Sequence, residues 1–208
     1  MFLESEKRMK IVFASNNPHK IKELSAILKS ELPNREIELL SPADVGIVDE
    51  IEENGVTFEE NALIKAKACA QKGYISIADD SGLEVDALGG QPGVYSARFA
   101  GRHGDDKANN EKLLHMLKGT PKGQRTARYV CVMACVIPGG KALTAKGIVN
   151  GAIIEQPRGS GGFGYDPLFA AEGDTKTWAQ IPIQQKNQIS HRAKATHLLV
   201  EMLKDYLE

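Results

Sequence analysis

The sequence predicts an α/β protein, because strand-like apolar runs alternate with helix-forming segments along the chain. Lys10 to Ala14 form a short, mainly apolar run, and a polar stretch then leads into a segment with apolar residues at helical spacing. A capping box at Thr57 and Glu60 predicts a second helix. Further along, two β-rich runs flank a Pro-Gly-Gly turn at 138–140, which predicts a hairpin.

Composition narrows the class of protein. The chain has 208 residues, of which 42% are hydrophobic and 25% charged, enough to bury a core as one large domain or two joined lobes. Lys and Arg number 26 against 27 Asp and Glu, so the net charge of −1 gives no overall basic field for nucleic acid or an anionic membrane. The start lacks the apolar stretch of a signal peptide, and no run approaches the roughly 18 residues of a membrane span. We expect a cytoplasmic protein.

The three cysteines indicate no disulfide framework. Cys69, Cys131 and Cys135 are odd in number, lie in apolar patterns and lack a C-x-x-C spacing. We expect buried, reduced thiols without a zinc site.

The first strand leads into a candidate anion-binding loop, Ser15 to Lys20. Pro18 suits the first turn of a helix, whose free backbone N–H groups and positive dipole end favour a phosphate. Lys20 adds a mobile positive charge, although the glycines of a P-loop are absent. The alternative is plain helix capping by Ser15, Asn16 or Asn17.

An acidic stretch precedes the second helix, and Glu53 is its most informative member. Four acids among residues 49–53 are typical of a solvated loop. Glu60 is explained by the capping box, whereas Glu53 lies before the cap and is free to take part in a site. Spacing alone does not distinguish Lys65 and Lys67 from ordinary surface charges on this helix.

The central stretch carries two adjacent acids. The apolar run Tyr74 to Ala78 leads into Asp79, Asp80 and Ser81, and we predict a turn at Gly82. Two neighbouring carboxylates repel each other unless a cation or a shared proton relieves them, and Mg²⁺ is the natural candidate. The alternative is a solvated turn, since Asp, Ser and Gly are common turn residues.

Two later segments resemble a nucleoside-binding region. The glycine-rich run 159–169 contains Phe163 and Tyr165, and an aromatic ring offers a stacking face for a base. A tight hairpin with its aromatics in the core is the alternative. Ser190 predicts an N-cap, which places His191 and Arg192 at a helix N-terminus, where something other than the dipole must hold them. The predicted helix 105–117 looks structural.

Five motifs in the same order resemble the inosine/xanthosine triphosphate pyrophosphatase family. They are Ser15-x-Asn17-x-x-Lys20, Phe58-x-Glu60-Asn61-Ala62-x-x-Lys65-Ala66, Ala78 to Leu83 with Gly93 to Arg98, Gly162 to Pro167, and Lys186-Asn187-x-Ile189-Ser190-His191-Arg192. The resemblance covers nearly the whole chain. It leaves residues 1–9 as a short N-terminal extension and 10–208 as a single nucleotide pyrophosphatase domain.

The resemblance implies a fold, a reaction and a set of roles. The fold is an elongated mixed β-sheet flanked by helices, in two lobes with the active-site cleft between them, usually in a homodimer. The reaction is Mg²⁺-dependent hydrolysis of 6-keto purine nucleoside triphosphates such as dITP, ITP and XTP to the monophosphate and pyrophosphate. Glu53 and Asp80 would hold the metal, and Asp80 would also be the general base. Substrate contacts would come from Ser15, Asn16, Asn17, Pro18, His19, Lys20, Lys65, Ser81, Phe163, Gly164, Tyr165, Asp166, Lys186, His191 and Arg192.

Two other functions stay open at this point. A phosphatase would use Asp79 or Asp80 as a covalent nucleophile, although the Asp-x-Asp arrangement that would support it is absent. A nucleotide sensor would bind without turnover. Gln180, Gln184 and Gln185 stand where family members often have acids, so fine tuning near the phosphates could differ.

Overall fold

A six-stranded mixed β-sheet with flanking helices forms the protein. The computed structural model describes residues 8–207, and for His19, Asp205 and Leu207 the backbone alone; most of the predicted N-terminal extension, residues 1–7, lies outside this range. The strands are β1 (Met9–Phe13), β2 (Ile37–Leu40), β3 (Ile75–Val85), β4 (Thr126–Val136), β5 (Ala142–Ile153) and β6 (Phe169–Ala171). The helices are α1 (Pro18–Glu31), α2 (Phe58–Ala70), α3 (Asp106–Met116), α4 (Ile183–Ile189) and α5 (His191–Leu207).

The strand order in the sheet is β2-β1-β3-β4-β5-β6. Strand β1 pairs in parallel with β2 and with β3, in a register that places Ile11 opposite Leu39 and Ile75. Strands β5 and β6 pair antiparallel. The sheet is therefore mixed, as expected for the predicted fold class.

The chain divides into two compact units. Among the described residues, the first comprises 8–80, 132–146 and 195–207, and the second comprises Ser81–Cys131 and Gly147–Lys194. In the first unit buried apolar side chains come from β1, α1, α2, β3, β4 and α5, among them Ile11, Leu24, Ile77 and Leu199. In the second unit one core cluster gathers the aromatic side chains Phe99, Tyr129, Tyr165, Phe169 and Trp178 with aliphatic residues.

Helix starts follow their sequence signals in the first unit. Pro18 is the first residue of α1, and Thr57 caps α2 by accepting a hydrogen bond from Glu60 N at 3.1 Å. The return bond of the capping box is displaced by one residue, because the Glu60 carboxylate accepts from Val56 N at 2.7 Å. The predicted structural role of Glu60 is confirmed.

The predicted turn at Gly82 is wrong. Strand β3 runs through Asp79, Asp80, Ser81 and Gly82 and ends only at Val85. The reason is that its residues 76–79, 82, 83 and 85 are buried, so the sheet offers the backbone its hydrogen bonds and overrides the turn preference of Asp, Ser and Gly. The two acids therefore stand on a strand and not in a loop.

The predicted hairpin is confirmed. Gly139 and Gly140 both have positive φ, 103° and 96°, and Ile137 N donates to Lys141 O at 2.9 Å to close the turn between β4 and β5. Strand β4 is buried along almost its whole length. The alternation predicted for one buried face holds better for β5.

Helix caps in the second unit follow the sequence as well. Asp105 accepts from Ala108 N at 3.1 Å and begins α3, and Ser190 accepts from Ala193 N at 3.0 Å at the start of α5. Helix α4, of seven residues, was not predicted, since Pro182 to Ile189 has a weak apolar pattern.

Cys69, Cys131 and Cys135 are buried, as predicted, and none of them forms a disulfide within the described part of the chain. Burial raises the pKa of the Cys135 thiol to about 12, which keeps it protonated at neutral pH. Among residues 8–207 no helix is long and apolar enough to cross a membrane.

Gly151 allows close pairing of β5 and β6. A Cβ at this position would overlap the carbonyl oxygen of Ala170 and the Phe169 ring. Gly151→Ala should therefore destabilise the protein by about 1–3 kcal/mol in urea unfolding, because the backbone of a paired strand must move. Gly123→Ala is the matched control, since a Cβ there meets open space. Equal unfolding midpoints for the two variants would contradict this explanation.

Candidate active site

Asp79 is a buried carboxylate paired with Lys20. Its side chain is 1% exposed, and Lys20 Nζ lies 2.8 Å from Asp79 Oδ2. Lys20 comes from the first turn of α1, so the loop that follows β1 brings its positive charge to the middle of the neighbouring strand β3. The ion pair places Lys20 beside the two adjacent acids of the central stretch.

Asp80 follows directly on the strand and contacts helix α2. Asn61 Nδ2 donates to Asp80 Oδ2 at 3.0 Å. Burial raises the pKa of Asp80 to about 6; Lys65 and the Asn61 hydrogen bond act in the opposite direction, and the charges of Glu53 and Asp79 raise it further. A carboxyl group with this pKa exchanges a proton close to neutral pH, which suits a general base.

Glu53 and Lys65 complete the acidic cluster of the first unit. Lys65 Nζ lies 2.8 Å from Glu53 Oε2; the Lys65 side chain is 12% exposed and that of Glu53 33%. The cluster therefore contains three carboxylates, from Glu53, Asp79 and Asp80, and two ammonium groups. Among the described residues, no group of three or more His, Cys, Asp or Glu side chains is arranged to hold a metal ion without further ligands.

The predicted anion-binding loop shows the hydrogen bonds of a capped helix. Asn17 N donates to Ser15 Oγ at 3.2 Å, and Lys20 N donates to Asn17 Oδ1 at 3.4 Å. Asn16, Asn17 and Pro18 are exposed, and the side chain of His19 lies outside the described part. Capping and an exposed helix N-terminus are thus both present, and they are compatible with each other.

In the second unit a buried carboxylate, Asp166, organises the candidate base pocket. It pairs with Lys186, and both side chains are almost fully buried. Its carboxylate also accepts from Phe163 N at 3.0 Å and from the Tyr129 hydroxyl at 3.3 Å. A Cβ on Gly162 would overlap the same carboxylate, which explains the glycine there.

Aromatic rings surround this ion pair. The rings of Trp178 and His191 both lie nearly parallel to that of Tyr129, with centroids 4.7 and 4.8 Å from it, and their own centroids are 5.6 Å apart. Lys186 Nζ lies 4.4 Å from the centroid of the Phe163 ring, which is 46% exposed. Tyr165 is buried and donates to Ser96 O at 2.8 Å. Each of the two interpretations of the glycine-rich run therefore fits one aromatic residue. Phe163 offers an exposed ring for stacking, whereas Tyr165 belongs to the core.

Helix α3 holds the backbone of the glycine-rich run in place. Gly164 N donates to the Asp106 carboxylate at 2.6 Å, and Asn110 Nδ2 donates to Gly164 O at 2.8 Å. Both peptide groups of Gly164 are fixed by the first two turns of one helix. The exposed Phe163 ring thus stands on a rigid backbone.

The two cationic residues at the start of α5 are held by side-chain contacts, as the sequence required. Arg192 is buried, and its guanidinium donates to Ser81 Oγ at 3.0 Å. His191 is buried and stacks on Tyr129. Gln180 has a local role: it caps a short 3₁₀ helix by accepting from Thr177 N at 3.0 Å. Gln184 and Gln185 are exposed.

Comparison with known proteins assigns the chain to a family. A model of the Ham1 family matches residues 11–202. The chain belongs to the Ham1 family. Ham1 family membership confirms the resemblance found in the five motifs.

Relatives of this Ham1 family chain match it over nearly their full length. A dITP/XTP pyrophosphatase of Bacillus subtilis is 50% identical over 193 residues, which is 92% of this chain and 96% of that protein. One of Geobacter sulfurreducens is 48% identical, covering 95% and 96%. The solved Ham1 protein of Staphylococcus aureus has a TM-score of 0.85 at 43% identity, covering 95% of this chain and 99% of that one. The mixed sheet flanked by helices is therefore the fold of its solved relatives.

The sequence missed several residues that shape the Ham1 site. Asn61, Tyr129, Trp178 and Asp106 make such contacts in the candidate site, yet none was predicted to belong to it, and Asp79 was predicted to need a cation without Lys20 being named as that cation. A signal existed for Asn61, since asparagine is unfavourable in a helix interior unless its side chain has a specific partner. The partners of the others are far away in the sequence.

Asp80→Asn should stabilise the metal-free protein. The rise in pKa from 3.8 to about 6 means that ionised Asp80 costs about 3 kcal/mol of folding free energy, at about 1.4 kcal/mol per pH unit. The gain in unfolding free energy should be full above pH 6 and shrink as the pH falls. It should vanish below pH 3.8, because Asp80 is then protonated in both the folded and the unfolded state. Thermal unfolding in a chelator at pH 4 and pH 8 measures it, and a variant less stable than wild type at pH 8 would contradict the assignment.

Lys186→Met should destabilise the protein by about 3 kcal/mol or more, because it leaves the buried Asp166 carboxylate without its cation. Lys107→Met is the matched control: Lys107 pairs with Glu111 on the surface of α3 and is 87% exposed. Its loss should change the free energy of unfolding by less than about 1 kcal/mol. Urea denaturation of both variants tests whether losing the lysine of a buried ion pair lowers the unfolding free energy more than losing that of an exposed pair.

Proposed function

We propose that this Ham1 family protein hydrolyses 6-keto purine nucleoside triphosphates such as dITP, ITP and XTP to the monophosphate and pyrophosphate. The reaction would clear these nucleotides from the pool before they enter DNA or RNA. The names of relatives about half identical over nearly the whole chain support the substrate class. A cytoplasmic homodimer, as the resemblance implies, is part of the proposal.

The observation that carries the proposal is the raised pKa of Asp80 together with the charged groups around it. It is a carboxyl group with a pKa near 6 that is influenced by Glu53 and Lys65, and it directly follows Asp79, which pairs with Lys20. Hydrolysis of a phosphoric anhydride needs a base for water and positive charge for the phosphates, and these residue types provide both.

The residues present fit a magnesium ion. Glu53 and Asp80 offer the hard oxygen ligands that Mg²⁺ prefers, and the cluster has one carboxylate more than its lysines balance. Mg²⁺ is commonly bound through one or two carboxylates together with substrate phosphates, so a group of three protein acids is not required. When bound, the ion would neutralise charge on the triphosphate and on the departing pyrophosphate.

In the proposed reaction Asp80 takes the proton of the attacking water. The water oxygen forms a bond to the α phosphorus, and the bond from that phosphorus to the bridging oxygen breaks, leaving pyrophosphate with the electron pair. Lys20 and Lys65 supply positive charge for the phosphates, and the exposed N-terminus of α1 with Ser15, Asn16 and Asn17 offers donors to them. The side chain of His19 stays an implied contact.

The second unit would bind the purine base of the substrate. Phe163 presents an exposed ring for stacking, and Lys186 with Asp166 and Gly164 fixes the backbone beneath it. Arg192 carries only donors, so it suits a 6-keto oxygen and would leave the amino group of adenine unmatched. Ser81 orients this guanidinium by accepting from it.

The test is pyrophosphate release by the purified protein with Mg²⁺, comparing ITP, XTP and dITP with ATP and GTP. We expect fast turnover of the first three and a drop of roughly 10²- to 10⁴-fold in Asp80→Asn, because the base is lost. Glu53→Gln should also lower activity. Asp44→Asn and Glu52→Gln, exposed acids of the same unit, are the matched controls and should behave as wild type.

Three outcomes would contradict the proposal. Release of orthophosphate with a trapped phospho-aspartate would favour the covalent phosphatase. Tight nucleotide binding without any product would favour a sensor. Equal turnover of ATP and ITP would remove the assigned base selectivity.

A further inference from the structure

Asn61 of helix α2 contacts two other parts of the acidic cluster, strand β3 and the loop before α2. It lies in the second turn of α2 and is 2% exposed. Its Nδ2 donates to Asp80 Oδ2 at 3.0 Å, and its Oδ1 accepts from Gly55 N at 2.8 Å. One side chain thus connects the strand that carries Asp80 with the loop that carries Glu53, two residues before Gly55.

The chemistry of the two partners determines how the amide is oriented. The Gly55 N–H is a donor only, and an ionised carboxylate is an acceptor only, so oxygen must face Gly55 and nitrogen must face Asp80. Aspartate at position 61 would set a second carboxylate against Asp80, and leucine would satisfy neither group. Asparagine has one acceptor and one donor at this length, which the geometry demands.

The loop side of the contact is equally specific. A Cβ on Gly55 would lie 2.7 Å from Asn61 Oδ1 and 2.7 Å from Glu60 Cβ, so glycine is needed for the backbone to approach α2. One turn after Asn61 on the same helix, Lys65 holds Glu53 by its 2.8 Å ion pair. Successive turns of α2 therefore fix both carboxylates, one through a neutral amide and one through a cation.

We infer that Asn61 is a positioning residue that sets Asp80 and the Glu53 loop in register for a divalent cation. The inference rests on the proposed function for its catalytic consequence. A neutral amide suits this task because it directs the carboxylate without cancelling the negative charge that attracts the cation, as a lysine in its place would.

The experiment compares wild type with Asn61→Leu and Asn61→Asp. Leucine is similar in size and removes both hydrogen bonds, while aspartate keeps the acceptor for Gly55 and replaces only the donor to Asp80. We expect kcat for ITP at pH 8 to fall roughly 10- to 100-fold in both variants, with a smaller change in KM. Mn²⁺ affinity of the nucleotide-free protein, measured by electron paramagnetic resonance, should weaken roughly tenfold or more in Asn61→Leu.

Asn109→Leu is the matched control. Asn109 is also 2% exposed, also lies in a helix, and also holds a loop through both ends of its amide, accepting from Ala100 N at 2.7 Å and donating to Ala97 O at 3.3 Å. Its loss should lower the melting temperature as much as Asn61→Leu does. It should leave kcat and Mn²⁺ affinity of the folded protein unchanged.

The readouts separate this inference from the proposed function. Wild-type kcat and Mn²⁺ affinity in folded Asn61→Leu would overturn it, since Asn61 would then be purely structural. If Asn61→Leu fails to fold, unchanged kcat in Asn61→Asp overturns it equally. If wild type releases no pyrophosphate, the proposed function fails, yet the Mn²⁺ comparison still decides the role of Asn61.

Discussion

The alternation of side chains along a β-strand governs the first unit. Asp79 and Asp80 are neighbours in sequence, but successive residues of a strand point to opposite faces, so the two carboxylates meet different partners. Lys20 from α1 forms an ion pair with Asp79, and Asn61 from α2 donates a hydrogen bond to Asp80. Asp79 thus has its own cation, whereas Asp80 contacts a neutral amide and has a pKa raised to about 6.

The second unit also contains a buried carboxylate, that of Asp166, and all its described partners lie in the same unit. Asp166 is buried with its cation and two further donors, so its charge is satisfied within the unit and serves to fix backbone. The result is a stiff support for Phe163, with peptide groups held by Asp166 on one side and by α3 on the other. Asp80 of the first unit thus has a pKa raised to about 6, whereas Asp166 of the second unit fixes the backbone of Phe163.

The sequence predicted the elements with strong local signals. The capping box at Thr57, the Pro-Gly-Gly turn and the Ser190 cap all depend on residues within a few positions of each other, and all are confirmed. The course of β3 through Gly82 was predicted wrongly, because burial in a sheet depends on strands far away in the chain. Family resemblance singled out Asp80 and Lys186, but their partners Asn61 and Asp166 are 19 and 20 positions distant. Local patterns carry no information on such pairs.

The aromatic stack in the second unit has a spectroscopic consequence. Trp178 is the single tryptophan of the sequence, and it is buried against Tyr129 with the Lys186 ammonium 5.1 Å from its ring. The indole emission of this protein therefore originates from one place, next to groups of the candidate base pocket. Fluorescence excited at the red edge of the indole band reports on the surroundings of that ring alone and leaves the acidic cluster of the first unit optically silent.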